Sequence, residues 1–323
     1  MEKCLQNPSS SSSSSSTSFD DLPREKWWGL QDTLYQWEGF WYILPHLKAA
    51  IAARSNFEAR DDDILLASSM KTGTTWLKAL IPSIINHNPG GEEEQEDPLL
   101  RKHPNELMPS FEVQLFKENP NPDLSGMLSP RLFRTHMPYT MLPESVKNSG
   151  CKIVYITRDP KDTIVSLWHF SNNNLPPERY PVAVSEAFES FCKGVHSYGP
   201  FHDHVLEYWK ESQKRPGKIL FLKYEEMKQD TKGQVQKLAS FLGKPFVNEE
   251  DLDKVLWRCN LDRLKNLEVN KTGVDPWLGI MYKSYFRLGS VGDWKNSLSQ
   301  EMKERLDEVT RKKLEGSGLV FGA

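Results

Sequence analysis

Four short β-rich runs punctuate the chain: DILLASS (Asp63–Ser69), RLFRTHMP (Arg131–Pro138), KIVYITRDP (Lys152–Pro160) and KILFLKY (Lys218–Tyr224). Three of them are nearly all apolar over four or five positions, the pattern of strands covered on both faces of a parallel sheet. The segments TTWLKALIPSII, KDTIVSLWHF, EAFESFCKGV and VQKLASFLG instead place apolar residues at i, i+3 and i+4, as helices with one buried stripe do. Alternation of strand and helix predicts an α/β fold, one domain with a central, mostly parallel sheet flanked by helices and joined by right-handed crossovers. Ligands of such sheets bind at the C-terminal strand ends.

Composition narrows this picture. With 323 residues the chain can bury a full core, and a charged fraction of 26% with net charge -3 argues against a nucleic-acid-coating protein. A basic site must therefore be local. The four cysteines (Cys4, Cys151, Cys192, Cys259) form no CxxC pair, which speaks against zinc and fits a reducing compartment. No run reaches the roughly 18 apolar residues of a membrane span, so no membrane partner and a cytoplasmic location are expected. The serine run Ser9–Ser16 buries too little apolar surface to order itself; residues 1–21 are expected as a disordered tail and 22–323 as the domain. GGEEEQEDP (Gly90–Pro98) reads as an exposed loop.

The stretch ILLASSMKTGTTWLKAL (Ile64–Leu80) breaks from strand to helix through Lys71, Thr72, Gly73, Thr74 and Thr75. Such a turn presents unpaired N–H groups and the positive end of the helix dipole, which together bind an anion. Glycine permits close approach, the threonines add hydroxyls and the lysine a mobile charge. The bland alternative is a solvated lysine beside a well-capped helix. The lysine precedes the glycine by two, so the segment does not match the GxxxxGK[ST] loop of ATP- and GTP-binding proteins. In YITRDPKDTIVSLWHF, Arg158 stands at a strand end and Ser166 two turns into the next helix; Arg158 could equally bridge to Asp159 or Asp162. A late loop, YFRLGSVGDWKNSLS (Tyr285–Ser299), supplies Arg287 and Gly289. Separate basic, glycine-bearing loops suggest a ligand with phosphates at two ends.

These residues, with RTHMPY, YGPFHDHVLEYW, LKYEEM and LKNLEVNKTG, resemble the cytosolic sulfotransferases, most closely the plant soluble branch, over nearly the whole chain from about Leu22. The resemblance implies a P-loop-like nucleotide-binding core and sulfuryl transfer from the co-substrate 3'-phosphoadenosine 5'-phosphosulfate (PAPS) to a hydroxyl of a small acceptor, without a metal. It implies that Lys71, Thr72, Gly73, Thr74, Thr75 and Trp76 grip the 5'-phosphosulfate, with Trp76 also beside the adenine. Arg158, Ser166, Arg287 and Gly289 would hold the 3'-phosphate, while Tyr224, Cys259 and Leu261 would pack against adenine. His136 would be the catalytic base, Lys71 would attend the leaving oxygen, and Ser166 would restrain that lysine until an acceptor arrives. An imidazole near its pKa suits that proton transfer.

Two positions depart from the family pattern. Met70 stands where a proline is usual, which relaxes φ at the loop entrance, and Leu288 interrupts an Arg-Lys-Gly triplet, which removes one phosphate contact. Arg134 lies on the same side of its strand as His136, either beside the transferring group or facing solvent. His202 and His204 are expected on a helix surface or lining the acceptor pocket. Lys295, Ser299, Gln300 and Glu304 meet the family's dimer motif only in part, so a monomer is expected. The aromatic-rich segments at 37–45, 136–139, 167–170 and 198–201 suggest an apolar acceptor pocket, as for flavonoids, steroid-like hormones, hydroxyjasmonates or desulfo-glucosinolates, though most of their rings serve as core. The competing readings are a P-loop-type kinase and a degenerate nucleotide- or hormone-binding member.

Overall fold

The computed structural model describes residues 18–29, 33–87 and 97–321. Most of the expected serine-rich tail, and nearly all of the acidic segment 90–98, lie outside them. Phe19–Asp21, counted with the tail, form a short 3₁₀ turn whose Phe19 packs against the cluster around Phe40 and Leu47.

Among the described residues, seven strands form two sheets. β1 (Arg24–Lys26), β2 (Thr33–Trp37) and β3 (Phe40–Tyr42) pair antiparallel in that order. β4 (Ile64–Ser68), β5 (Leu132–Thr135), β6 (Lys152–Thr157) and β7 (Ile219–Lys223) form a parallel sheet in the order β5-β4-β6-β7. Each strand of the parallel sheet falls inside one of the four runs singled out above. The small antiparallel sheet was not anticipated. Its strands are three to five residues long, and its hairpin turns on Glu38 (φ 49°) and Gly39 (φ 84°), a Glu-Gly pair without the usual Asn-Gly or Asp-Gly signature.

The parallel strands are apolar throughout because helices cover both faces. Leu66, Val154, Ile156 and Leu222 pack with Leu77, Leu80, Ile81 and Ile84 of the helix Thr74–Ile85. On the opposite face, Leu65, Ala67, Ile153 and Tyr155 meet Ala49, Ala50 and Ala53 of the helix Leu44–Asn56 and Tyr208 of the helix Phe201–Lys214. The four periodic segments form the helices Thr74–Ile85, Pro160–Asn172, Val184–Cys192 and Thr231–Phe241. After β4 the chain leaves to β5 on one side, and it later returns to β6 on the other. Between β4 and β6 lies the switch point at which α/β sheets open a crevice.

The core also holds neutral histidines. Burial drives His46, His103, His136, His196, His202 and His204 down to about 3, 2, 3, 4, 4 and 4 respectively, because the imidazolium is disfavoured away from water. An unfolded chain protonates histidine below about pH 6.5, so over this window it binds more protons than the folded one. Stability should therefore fall as the pH drops from about 6.5 towards 4, and unfolding near pH 5 should take up about five protons. Calorimetry in buffers of different ionisation enthalpy measures that uptake; an uptake near zero would contradict the burial of these rings.

Candidate active site

At the C-terminal edge of β5, β4 and β6 lies a cavity of about 480 Å³. All but two of the residues proposed from sequence line it: Lys71, Gly73, Thr74, Thr75, Trp76, His136, Arg158, Ser166, Tyr224, Leu261, Arg287 and Gly289. The exceptions are Thr72 and Cys259. Thr72 is buried and shares its single hydroxyl proton between the carbonyls of Ser69 (2.9 Å) and Ile156 (3.0 Å), which ties the loop to β6. Cys259 is buried in the core, its Sγ 3.4 Å from Ser83 Oγ and its thiol pushed up to about 12 by burial.

The first wall is the turn after β4. Lys71 and Gly73 take left-handed conformations, at φ 65° and 113°, and Gly73 caps the helix Thr74–Ile85. A Cβ on Gly73 would sit 2.8 Å from the Tyr224 ring and 3.0 Å from Ile156 Cδ1. Only glycine fits there, and the first N–H groups of the helix are left for an anion. Lys71 Nζ lies 3.9 Å from the centre of the Phe170 ring. No hydrogen bond joins Lys71 to Ser166 in this structure; the ammonium rests on the Phe170 face instead. Desolvation first, then Arg287 and Arg158, bring the Lys71 ammonium down to about 7.

The second wall pairs β6 with the late loop. Arg158 Nη2 lies 3.1 Å from Asp162 Oδ2 and donates to the Ser290 carbonyl at 2.6 Å, while Arg287 meets Asp293 at 2.6 Å. Arg158 thus makes the structural bridge considered from sequence and lines the cavity as well. Asp162 also accepts from the backbone N–H of Gly292 (2.8 Å) and Trp294 (3.0 Å), tying the late loop to the helix Pro160–Asn172. The Nε atoms of both arginines are buried without a hydrogen-bond partner, as donors awaiting an anion would be. Tyr224 donates to the Gly289 carbonyl at 2.8 Å and meets Trp76 edge-on at 5.9 Å. Gly289 has φ 64°, and a Cβ there would collide with Leu261. These flat and apolar groups suit a base ring.

The third wall follows β5. His136 Nδ1 lies 2.8 Å from the Ser68 carbonyl, which can only accept, so the proton sits on Nδ1 and the lone pair on Nε2. Nε2 has no partner among the described residues. Glu112 accepts from the His136 N–H at 2.6 Å and from the Thr135 hydroxyl at 2.9 Å. His204, expected on a surface or in the pocket, is fully buried outside the cavity: its Nε2–H donates to the His136 carbonyl at 3.0 Å, and Tyr155 bonds its Nδ1 at 2.9 Å. His202 is likewise buried, 2.9 Å from Thr310 Oγ1. Arg134 is 5% exposed and lines the cavity, so the solvent-facing alternative falls away. Sequence reasoning missed Lys78, Asn105 and Tyr285, which also line it. Lys78 follows Thr74 by four, one helical turn along the same face, a spacing that could have placed it. Of the aromatic-rich segments, only Ile43, His136, Phe170 and Tyr198 reach the cavity; Phe40, Trp41, Tyr42, Leu167 and Phe201 are core.

A strand-to-helix turn with open N–H groups beside an imidazole, at the switch point of a parallel sheet, is a geometry suited to group transfer. Comparison with known proteins narrows the class. The family model for the sulfotransferase domain matches residues 61–318. Cytosolic sulfotransferase 12 of Arabidopsis thaliana is 42% identical over 303 residues, covering 94% of this chain and 92% of that one. The crystal structure of an Arabidopsis thaliana protein assigned as a steroid sulphotransferase superposes with TM-score 0.74 at 36% identity, covering 94% of each chain. Mouse sulfotransferase SULT7A1 complexed with PAP gives 0.67 at 29%, covering 88% of this chain and 95% of that one. The chain belongs to the sulfotransferase family.

Gly73→Ala tests the cradle. The left-handed φ and the contact with Tyr224 should lower stability by about 1–3 kcal/mol in urea unfolding. An unchanged midpoint would show that the turn does not take the described conformation.

Proposed function

We propose that the chain moves a sulfuryl group from PAPS to the hydroxyl of a small, largely apolar acceptor, with His136 as general base. The observation that carries this is the convergence, in one cavity, of the Lys71–Thr75 turn, the Arg158–Arg287 pair and the free Nε2 of His136. The orphaned Nε atoms of the two arginines and the space kept open at Gly73 fit a ligand with anionic groups at both ends. Relatives named as cytosolic sulfotransferases, and the mouse structure complexed with PAP, support the same donor and a cytosolic location.

In this scheme the acceptor oxygen bonds to sulfur as the bond from sulfur to the 5'-phosphate oxygen breaks. The hydroxyl proton passes to His136 Nε2, and Lys71 offsets charge on the departing oxygen. Trp27, Ile43, Val113, Ile280 and Met281 form the apolar side of the cavity, against which flavonoids, steroid-like hormones, hydroxyjasmonates or desulfo-glucosinolates would pack. Burial keeps His136 neutral at physiological pH, so its Nε2 lone pair is unprotonated, though less basic than that of a solvated imidazole until the acceptor and donor alter its surroundings.

His136→Ala should cut turnover of sulfur-labelled PAPS with a pooled set of phenols, steroids and hydroxy acids by about 100-fold or more, with little change in donor affinity. Wild-type turnover in that variant would remove the base, and donor binding by the unmodified protein without any labelled product would favour a degenerate binding member. The pH profile is a second check. Lys71 loses its proton as the pH rises through about 7, so kcat/KM for the donor should fall above that point. His136 titrates at about 3, so no acid limb should appear down to about pH 5. An acid limb near 6.5 would place the imidazole in water instead.

A further inference from the structure

One cavity-lining lysine, Lys78, has no part in gripping the donor or in moving the acceptor's proton. It follows Thr74 by one turn on the helix Thr74–Ile85 and is 3% exposed. Its one hydrogen-bond partner among the described residues is Asn105 Oδ1, and its Nζ faces the Tyr285 ring at 5.6 Å. Apolar side chains of the same cavity, Val113, Ile280 and Met281, complete the surroundings.

Asp275 fixes how Asn105 meets this lysine. Asn105 Nδ2 donates to Asp275 Oδ2 at 2.8 Å, which the Tyr285 hydroxyl also reaches at 3.1 Å, while Oδ1 of the same carboxylate accepts from the N–H groups of Trp277 and Leu278. The amide therefore turns its oxygen to Lys78 and can only accept an N–H from the amine. The nitrogen lone pair is left to the cavity. Burial first, and then the Arg134 guanidinium, hold the Lys78 ammonium well below the usual lysine range, and the more distant Asp275 offsets this only in part. A desolvated lysine beside another cation is an activated nucleophile.

We propose that Lys78 is a carbonyl-capturing group, which binds apolar aldehydes reversibly as an imine with their carbon skeleton against Val113, Ile280 and Met281. This activity is separate from sulfuryl transfer and consumes no donor. The Nζ lone pair attacks the carbonyl carbon, and the electron pair displaced onto oxygen takes up one amine proton, which gives a carbinolamine. Nitrogen then forms the C=N bond as the C–O bond breaks, and the oxygen leaves as water with the second amine proton. Nothing is oxidised or reduced, and addition of water returns the aldehyde. Lys71 is lowered as well, to about 7, but it belongs to the donor's cradle, where a bound bisphosphate favours its charged form. The two amines are thereby distinguishable.

Benzaldehyde is the probe, because it offers a carbonyl and no second electrophilic carbon; sodium cyanoborohydride reduces its imine to a benzylamine that peptide mapping locates. In the full-length protein with adenosine 3',5'-bisphosphate added, at about pH 7, Lys78 should be benzylated at least about tenfold faster than any exposed lysine, as a fall of one pKa unit or more implies. Benzyl alcohol, which has the ring but no carbonyl, should slow that labelling by competition. Lys78→Met should abolish the adduct. Asn105→Asp, which sets a carboxylate beside the amine and favours its charged form, should return Lys78 to the rate of exposed lysines. Label confined to exposed lysines, the N-terminal amine or Lys71, with Lys78 unmodified, would overturn the inference whether or not sulfuryl transfer is found. Undiminished labelling of Lys78 in a folded Asn105→Asp protein would overturn it too, because the amide would then not govern the amine. Circular dichroism reads the folding of each variant, and the wild-type map with its benzyl alcohol competition decides the matter without either.

Discussion

The site depends on one constraint, the parallel register that clamps β4 between β5 and β6. Ala67 lies opposite both Thr135 and Tyr155, so the three strands end flush. Flush ends make Lys71, His136 and Arg158 leave the sheet at one edge although they are far apart in sequence. Ties that bridge strands hold the register at both ends. At the C-terminal end these are the Ser68 carbonyl to His136 and Thr72 to the Ile156 carbonyl. At the N-terminal end they are the buried Asp63–Arg131 ion pair at 2.6 Å and the Lys152 N–H to the Asp63 carbonyl at 2.9 Å. Because side chains alternate, a slip of one residue would turn His136 away from the cavity and carry Leu65 and Leu66 to the wrong faces.

With the edge in place, the cations need holding apart from one another. Arg158 and Arg287 each rest against a carboxylate, Asp162 and Asp293, and Lys71 rests on the Phe170 ring. These restraints differ in kind. The arginines keep fixed positions because their partners belong to the same helix or loop, whereas a cation lying on an aromatic face is free to move along it. Fixed arginines suit gripping an anion, and a mobile lysine suits following one oxygen as charge develops there. Asp162 serves both ends of this arrangement, since it pairs with Arg158 and caps the Gly292 and Trp294 N–H groups that position the late loop.

The parallel sheet was legible because both-face burial writes itself as uninterrupted apolar runs, and the strand-to-helix turns because lysine, glycine and threonine in that order have few other uses. What stayed hidden follows from the same physics. β1 and β3 have three residues each, too few for a period, and Arg24–Lys26 is exposed along its length. His204 carries no sign in the sequence that it props the His136 carbonyl, because the contact spans 68 residues and exists only once helix and strand are packed. Cys259 sits close in sequence to Leu261, yet it caps the C-terminus of the helix Glu249–Arg258 and is buried in the core, while Leu261 starts the next helix beneath Gly289. Lys78 reads as a solvated helix residue until the fold encloses it.

The two departures from the family pattern have different structural weight. Met70 removes a proline that would have fixed φ at the loop entrance, and a looser cradle is the natural expectation. The loop is instead pinned by the Thr72 hydroxyl, shared between the carbonyls of Ser69 and, across on β6, Ile156, and by Ser68 Oγ to Thr74 Oγ1 at 2.7 Å. These are tertiary constraints, so they hold the turn in the folded state without restricting the unfolded chain as proline would. Leu288 has no such replacement. It is 55% exposed at the cavity rim, where a lysine would have added a charge that Arg287 must now supply alone, its own partner being Asp293. The basic side chains that line the cavity thereby stand mostly on its inner walls, as Lys71, Lys78, Arg134 and Arg158, with Arg287 alone contributed by the late loop.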